Sequence, residues 1–304
     1  MTRSSPLTHL SAETRGAIGM CTAMLVFICM DAVAKFLAGQ LPPMQVVWAR
    51  YTGQTLIILA IFLPSLPRLF RTGNLRIQLL RSVFLFAATS LFFTGLEVIP
   101  LAEATALMNT GPLLITLLAA LVLGEQVGPR RWAGVVAGLV GALIILRPGL
   151  GVFQPEALLV VAAALCLACY QVATRAMSGA DSIWTTMLYT TLVGSIAASL
   201  AMPAVWETPP VASLPWMALI GAIGFLGHLC LVWALAQAPA SVLAPFNYSQ
   251  LVWSILIGWL VFGEFLDGLT LLGAAVIVGA GIYVWHRERM RSTPAEQPGS
   301  PRGG

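Results

Sequence analysis

The chain has 304 residues, of which 58% are hydrophobic and only 9% are charged. Soluble globular domains carry about 25% charged residues, so this composition excludes a soluble fold and predicts a polytopic membrane protein. The net charge is +4 at pH 7. Because the basic residues lie mostly in short loops between apolar segments, this charge indicates orientation in a membrane and not binding of nucleic acid.

Apolar segments along the chain predict an all-α fold with ten transmembrane helices. A helix needs about 20 apolar residues to cross the hydrocarbon core of a bilayer, and each segment approaches that length. The polar residues 1–16 lack a signal-peptide pattern and are predicted to be cytoplasmic, and the polar tail 287–304 is predicted to be disordered. In chain order the apolar segments are 17–37, 44–63, 78–97, 101–121, 131–147, 156–176, 182–202, 214–235, 241–262 and 268–286.

An internal repeat divides the ten predicted helices into two halves. Pro100 and Glu125 recur as Pro239 and Glu264 at one constant spacing. Each half contains five predicted helices, an odd number, so the second half must enter the membrane from the opposite side. The sequence therefore predicts a five-plus-five inverted repeat, the arrangement that permits alternating access in many transporters. The two predicted units are 17–147 and 156–286.

The distribution of lysine and arginine predicts the orientation of the chain. If the N-terminus is cytoplasmic, only Lys35, Arg50 and Arg147 of the 16 basic residues fall on or toward the outer side. Short cytoplasmic loops of membrane proteins carry an excess of basic residues. We therefore expect a multi-pass protein, surrounded by membrane lipid, with both termini in the cytoplasm.

Charged side chains inside the first two predicted helices are candidates for a binding site, because charge inside a bilayer is costly and usually functional. Asp31 and Lys35 lie one helical turn apart, and Arg50 lies at a similar depth in the next helix. Together with Trp48 they are predicted to surround the outer mouth of a central cavity, as substrate contacts or as a gate. The alternative is a structural ion pair of Asp31 with Lys35 or Arg50.

Prolines interrupt the fourth and ninth predicted helices at similar positions. Pro112 and Pro245 each remove a backbone donor and should break the helix. Broken helices are tolerated in membranes where the freed backbone is shielded or lines a cavity. Polar side chains beside these breaks are therefore predicted to line a ligand site near the midplane, with hydrogen bonding between helices as the alternative role. These side chains belong to Asn109, Asn247, Tyr248 and Gln250.

No pattern in the sequence indicates an enzyme, a metal site or a cofactor. Walker-A, H-E-x-x-H and G-x-S-x-G motifs are absent. Cys166 and Cys169 form a C-x-x-C without a second Cys or His pair, so a packing role is favoured over metal binding. Glu125 and Glu264 are expected to cap the following helix or to pair with arginines. Glycines in the fifth and tenth helices predict close helix packing, either between the halves or in a homodimer.

Two groups of motifs resemble the EamA-type transporters of the drug/metabolite transporter superfamily. The first is PLAEATALMNTGPLL at Pro100–Leu114 with LGEQVGPRRWAGVVAGLVGALIILRPG at Leu123–Gly149, echoed by Gly263–Glu264. The second is MDAVAKFLA at Met30–Ala38, followed by WARY at Trp48–Tyr51. The resemblance implies a secondary carrier of a small organic metabolite that works by alternating access in a bacterial inner membrane.

The resemblance covers about residues 15 to 287. Its motifs are specific for the family but say little about the substrate. Riboflavin uptake is the preferred prediction, because Trp48, Asn109, Tyr248 and Gln250 supply aromatic stacking and hydrogen bonds that suit a flavin. Export of amino acids or related metabolites, uptake of the S-adenosylmethionine type, and a non-transporting accessory subunit are the alternatives. The second half has Tyr170 and Gln171 where the first has an acid, and it has no arginine at the position that corresponds to Arg50. Charged contacts are therefore expected from the first half.

Overall fold

A computed structural model describes residues 11–122, 128–148, 154–176 and 181–292. All regular secondary structure in these ranges is helical. In chain order the helices are α1 (Ala12–Ala38), α2 (Pro43–Phe62), α3 (Leu66–Leu69), α4 (Leu75–Leu96), α5 (Leu101–Met108), α6 (Gly111–Val122), α7 (Pro129–Leu146), α8 (Ala157–Ala176), α9 (Ile183–Val205), α10 (Leu214–Gln237), α11 (Ala240–Leu243), α12 (Ser249–Phe262) and α13 (Gly268–Ser292).

The described residues contain eight helical segments that are long and apolar enough to cross a membrane. The other two predicted spans correspond to a shorter apolar helix at Trp132–Leu146 and to the interrupted segment 240–262. The start of the first helix and the end of the last helix differ slightly from the prediction. Helix α1 begins at Ala12 and α13 continues to Ser292, because polar residues extend both helices beyond their apolar parts. Residues 1–10 and 293–304, and Glu125, lie outside the described part of the chain.

Polar side chains and glycine set several helix ends. The side chains of Ser11, Asn74 and Ser182 accept hydrogen bonds from the third backbone amide after them, and so cap α1, α4 and α9. Pro43 occupies the first turn of α2, where its missing N–H costs nothing. Helix α12 ends at Gly263, whose φ of 66° is in the left-handed region that glycine tolerates best.

Helices of the first half pack mainly against helices of the second half. The closest pairs are α1 with α10, α4 with α8, α2 with α9, and α7 with α13. Further contacts join α2 to α10, α4 to α9, α1 to α12, and α6 to α8. The largest buried apolar cluster accordingly mixes both halves, with Leu37, Val47 and Leu96 beside Ile220 and Ile277. The two halves therefore share the largest buried core.

Glycines bring paired helices into backbone contact. A Cβ atom on Gly221 of α10 would lie 2.8 Å from the Cα of Gly53 on α2, and one on Gly141 of α7 would lie 2.9 Å from the carbonyl oxygen of Gly273 on α13. Small residues permit such approach in membrane helices, where van der Waals packing stabilises association. The glycine faces of α7 and α13 thus pack against each other within one chain.

Candidate functional site

The interruptions of the two broken helices lie against each other. Helix α5 ends at Met108, Asn109 and Thr110 separate it from α6, and a short 3-10 turn over Ala244–Tyr248 precedes α12. The side-chain amide of Gln250 donates a 2.7 Å hydrogen bond to Oδ1 of Asn109. Asn109 is only 3% exposed. This bond therefore joins the polar breaks of the two halves inside the protein.

The remaining predicted residues at this break are placed differently. Tyr248 packs against α13, where a Cβ on Gly281 would lie 1.7 Å from the tyrosine hydroxyl. Asn247 is exposed, as is the neighbouring Phe246. Pro245 lies inside the 3-10 turn. Asn109 and Gln250 are thus the two predicted residues that the structure brings into direct contact here.

Arg50 is buried among aromatic rings on the inner side of α2. One of its terminal nitrogens donates to Oγ1 of Thr89 at 3.2 Å, and the rings of Tyr51 and Phe93 each lie 5.4 Å from the guanidinium carbon. Asp31 on α1 interacts with it electrostatically. The Nε atom of Arg50 has no hydrogen-bond partner in the described residues. Arg50 thus keeps a donor available inside the membrane.

Trp48 does not share the surroundings of Arg50. Its indole nitrogen donates a 3.0 Å hydrogen bond to Oγ of Ser199 on α9, and its ring meets that of Trp206 edge-on at 5.7 Å. Two residues along an α-helix correspond to about 200°, so Trp48 and Arg50 lie on nearly opposite faces of α2. The predicted grouping of Trp48 with Asp31 and Arg50 is therefore not formed.

Lys35 pairs with Glu264, and not with Asp31 as the sequence had suggested. Its Nζ lies 2.9 Å from Oε1 of Glu264, and also donates to the carbonyl oxygens of Leu96 at 3.2 Å and Ile99 at 2.6 Å. Within the described residues, neither Lys35 nor Arg50 forms an ion pair with Asp31. The long lysine stem reaches the free carbonyls at the end of α4, which attract cations.

Glu264 has a structural task as well as a charged partner. Its Oε2 accepts a 2.8 Å hydrogen bond from the backbone amide of Leu101, and so caps the start of α5. The sequence predicted either a cap on the following helix or an arginine partner, but the cap is on α5 and the cation is Lys35. Repeat spacing locates the residue and gives no information on neighbours that are distant in the sequence.

A second polar cluster, at the other end of the bundle, was missed by the sequence reasoning. Arg81 on α4 is 1% exposed. It donates to the hydroxyl of Tyr170 at 2.8 Å and to Oε1 of Gln78 at 2.9 Å, and Gln78 donates to Asp181 at 2.7 Å. A further bond reaches Thr174 of α8. A basic residue near a helix end is usually interpreted as a loop charge, which concealed this buried position.

Asp181 anchors this cluster at the surface. Burial raises the pKa of its carboxyl, but hydrogen bonds from Thr72, the backbone amide of Gly73 and Gln78 outweigh burial and hold the pKa below its usual value. The carboxylate thus joins the loop after α3, the helix α4 and the loop before α9.

Arg147 and Asp267 form an ion pair between the end of α7 and the start of α13. Hydrogen bonding from Arg147 holds the pKa of the Asp267 carboxyl far below its usual value, and the same bond raises the pKa of Arg147. Among the described residues, no group of three or more His, Cys, Asp or Glu side chains is arranged to hold a metal.

Comparison with known proteins identifies the family. A family model described as the EamA-like transporter family matches residues 14–147 and again 154–285. The chain belongs to the EamA-like transporter family. A solved crystal structure, 23% identical in sequence, covers 92% of this chain and 99% of its own length at a TM-score of 0.60, and shares the fold of this EamA chain.

Curated relatives of the EamA protein are named as transporters of two cofactor-related molecules. A riboflavin transporter of Rhizobium johnstonii is 32% identical over 305 residues, covering 96% of this chain and 97% of the relative. A riboflavin transporter of Vibrio cholerae is 34% identical over 289 residues, covering 91% and 95%. An S-adenosylmethionine uptake transporter of Rickettsia bellii is 27% identical over 259 residues, covering 85% and 89%. These similarities support transport of a small molecule across a membrane.

Proposed function

We propose that the protein is a secondary transporter that takes up riboflavin by alternating access. The observation that carries this proposal is the identity above 30% with two proteins named riboflavin transporters, which extends over nearly the whole chain. The relatives named for S-adenosylmethionine are less similar at 27%. A flavin also suits a buried site rich in hydrogen-bond donors and aromatic rings.

The packing supports ten spans in an inverted repeat, with units 17–147 and 156–286. When each helix of one unit is exchanged for its counterpart in the other, the contact of α1 with α10 becomes that of α8 with α4. The contact of α2 with α10 likewise becomes that of α9 with α4, and α2–α9 and α7–α13 map onto themselves. A two-fold axis in the membrane plane produces this relation. In this proposal α7 is the fifth span and the interrupted segment 240–262 is the ninth, and together with the eight longer segments they make ten.

Contacts at both ends of the bundle supply the gates that alternating access requires. Lys35 joins α1 to Glu264 in the connection between α12 and α13, which closes the outer side. Arg81 joins α4 to α8, which closes the inner side. Each contact links the two halves. With both intact the structure corresponds to an occluded state, and transport breaks them in turn.

The proposed substrate contacts lie between these gates. Asp31 and Arg50 contribute the charged part, and Asn109 and Gln250 the amide part, of a site in the centre of the bundle. The positions of Trp48 and Tyr248 support packing roles instead, and Asn247 is exposed.

Orientation in a bacterial inner membrane with both termini cytoplasmic is part of the same proposal. The organisms of the relatives are bacteria, and the basic residues concentrate on the side assigned to the cytoplasm. A homodimer is not needed to complete the site, because its residues come from one chain.

Uptake of labelled riboflavin by a bacterial host that cannot synthesise the vitamin tests the function. We expect saturable uptake and growth at low external riboflavin when the gene is expressed, and neither with an empty vector. An Arg50→Met variant should reach the membrane in equal amount and lose most uptake. The matched control is Gly279→Ala, whose new methyl group meets nothing within 4 Å, and it should transport normally.

Parallel assays distinguish the other transport functions. Labelled S-adenosylmethionine supplied to the same cells tests the second candidate, which the Rickettsia relative favours. The charged pair of Asp31 and Arg50 would also suit a zwitterion, so amino-acid efflux is measured from preloaded cells. A well-expressed protein that moves none of the three after reconstitution would leave an accessory role. Riboflavin uptake without the others would establish the proposal.

A further inference from the structure

Helix α2 carries three buried polar groups that have no hydrogen-bond partner in the described part of the chain, one of which is the hydroxyl of Thr55. The other two are nitrogen donors that share one face of the helix. They are Nε of Arg50 and Nε2 of Gln54, one helical turn apart on the same face. Arg50 is 8% exposed and Gln54 is 1% exposed. Leaving a buried donor unpaired is destabilising, and native proteins seldom do so without a functional reason. The pair therefore marks a place where an absent molecule supplies acceptors.

The amide of Gln54 is packed between α10 and α1. Its Nε2 lies 2.2 Å from where a Cβ on Gly224 of α10 would be, and Met30 Sδ of α1 lies 3.1 Å from the same point. Only glycine at position 224 leaves room for the amide. Asp31 follows Met30 in the chain and interacts electrostatically with Arg50. A carboxylate acceptor is thus present near Arg50.

The walls of this site are flat and apolar. The rings of Tyr51 and Phe93 lie 5.4 Å from the guanidinium of Arg50. On α10, His228 binds the carbonyl oxygen of Gly224 through Nδ1 at 2.8 Å, and its ring meets Phe27 edge-on at 5.1 Å. Aromatic side chains around a few polar groups are typical of pockets for planar heterocycles.

We propose that Arg50, Asp31 and Gln54 together recognise the imide edge of a planar heterocycle, and that Gln54 determines specificity. An imide presents a carbonyl, an N–H and a second carbonyl in a row, and two donors with one carboxylate acceptor complement that set. The isoalloxazine ring of riboflavin has such an edge, so this inference rests on the proposed function and specifies which part of the flavin is recognised. The adenine of S-adenosylmethionine has no imide.

Competition with flavin analogues tests recognition of the edge. N3-methylriboflavin has lost the imide N–H, and we expect it to inhibit labelled riboflavin uptake at least tenfold more weakly than riboflavin does, because buried sites discriminate strongly against a missing hydrogen bond. The matched analogue carries an ethyl group in place of the 8-methyl group at the opposite end of the ring, and should inhibit more strongly than N3-methylriboflavin, because the proposed hydrogen bonds do not reach that end.

Gln54→Met tests the residue itself, since it keeps the side-chain volume and removes the amide. We expect the KM for riboflavin to rise about tenfold with little change in expression, because no existing hydrogen bond is lost. The preference for riboflavin over N3-methylriboflavin should shrink in this variant. The matched control is Thr55→Val, which removes the neighbouring unpaired hydroxyl and should leave both quantities unchanged. A purely structural Gln54 would alter protein amount without altering the preference.

The outcomes separate this inference from the proposed function. Equal inhibition by riboflavin and N3-methylriboflavin, with an unchanged KM in Gln54→Met, would overturn recognition of the imide edge while riboflavin transport stands. Absence of riboflavin uptake by the wild-type protein would overturn both. Saturable uptake with weak inhibition by the N3-methyl analogue and a raised KM in the variant would establish both.

Discussion

Lys35 contacts two segments of the chain that are distant from it in the sequence. The carbonyl oxygens of Leu96 and Ile99 and the carboxylate of Glu264 surround its ammonium group. The side chains of Lys35 and Glu264 are only 11% and 20% exposed. Removing one charge would leave the other partly buried without compensation, which costs more than the intact pair contributes.

Glu264→Gln should therefore lower the free energy of unfolding by about 1–3 kcal/mol. The amide keeps a hydrogen-bond acceptor for the Leu101 amide, so the loss comes mainly from the unpaired lysine. Thermal unfolding in detergent measures it. Lys35→Met combined with Glu264→Gln should recover part of the loss, and an equally destabilised double variant would contradict the ion-pair explanation.

Asp181 predicts a pH dependence of stability. Its folded-state pKa is below the usual value, so its carboxylate contributes stability that is fully present above the unfolded pKa of about 4 and is lost as pH falls through the folded pKa. The Tm difference between wild type and Asp181→Asn should be full at pH 7 and should shrink below about pH 4. A difference that stays constant down to the acid limit of the fold would contradict this assignment.

At the scale of helices, the two interruptions couple the halves through one hydrogen bond. Asn109 and Gln250 form it at 2.7 Å. Hydrogen bonds between membrane helices contribute about 0.6 kcal/mol on average and up to about 1.7 kcal/mol. A double-mutant cycle with Asn109→Leu and Gln250→Leu should give a coupling energy in that range. If both amides bind the proposed substrate instead of each other, the coupling energy should be smaller in its presence. Calorimetric unfolding of the four proteins with and without riboflavin would detect the difference.

Glycine contacts predict opposite effects of one substitution at two positions. Gly221→Ala on α10 places a methyl group 2.8 Å from the Cα of Gly53, so the helices must separate, and we expect destabilisation of about 1–3 kcal/mol. Gly279→Ala on α13 meets nothing within 4 Å and should be neutral or stabilise by up to about 1 kcal/mol. Unfolding of both variants in one detergent measures the contrast, and equal effects would argue against backbone contact between α2 and α10.

The helices themselves follow closely from the sequence, because hydropathy reflects a physical requirement that each span meets alone. Every predicted apolar segment corresponds to a helical region, and the helix is interrupted beside both Pro112 and Pro245. Contacts between residues that are distant in the sequence are harder to predict from hydropathy. Lys35 lies beside Asp31 in the helix, yet its counter-ion is 229 positions away. Nothing in the sequence indicated that Gln54 and Arg81 are buried, because the burial of a polar residue depends on which helices pack around it.

At the scale of the whole molecule, the ten-span arrangement predicts a specific membrane topology. In the ten-span arrangement α7 crosses the bilayer, so Gly128 and Pro148 lie on opposite sides. An arrangement in which only the eight longer segments cross would leave both residues on one side. Reporter fusions or cysteine labelling at these two positions distinguish the arrangements. We expect Gly128 inside and Pro148 outside, with both termini inside; labelling of both residues from one side would exclude the inverted repeat.

The burial of the Lys35–Glu264 ion pair determines how it responds to salt. Dissolved ions screen charges over about 8 Å at physiological ionic strength, but they act weakly on a pair that protein surrounds. Asp267, which pairs with Arg147, is exposed over 56% of its side chain, so dissolved ions can screen its charge. Salt should therefore weaken one of the two ion pairs at this end of the bundle and leave the other nearly unchanged, so the packing of the helices here should depend little on salinity.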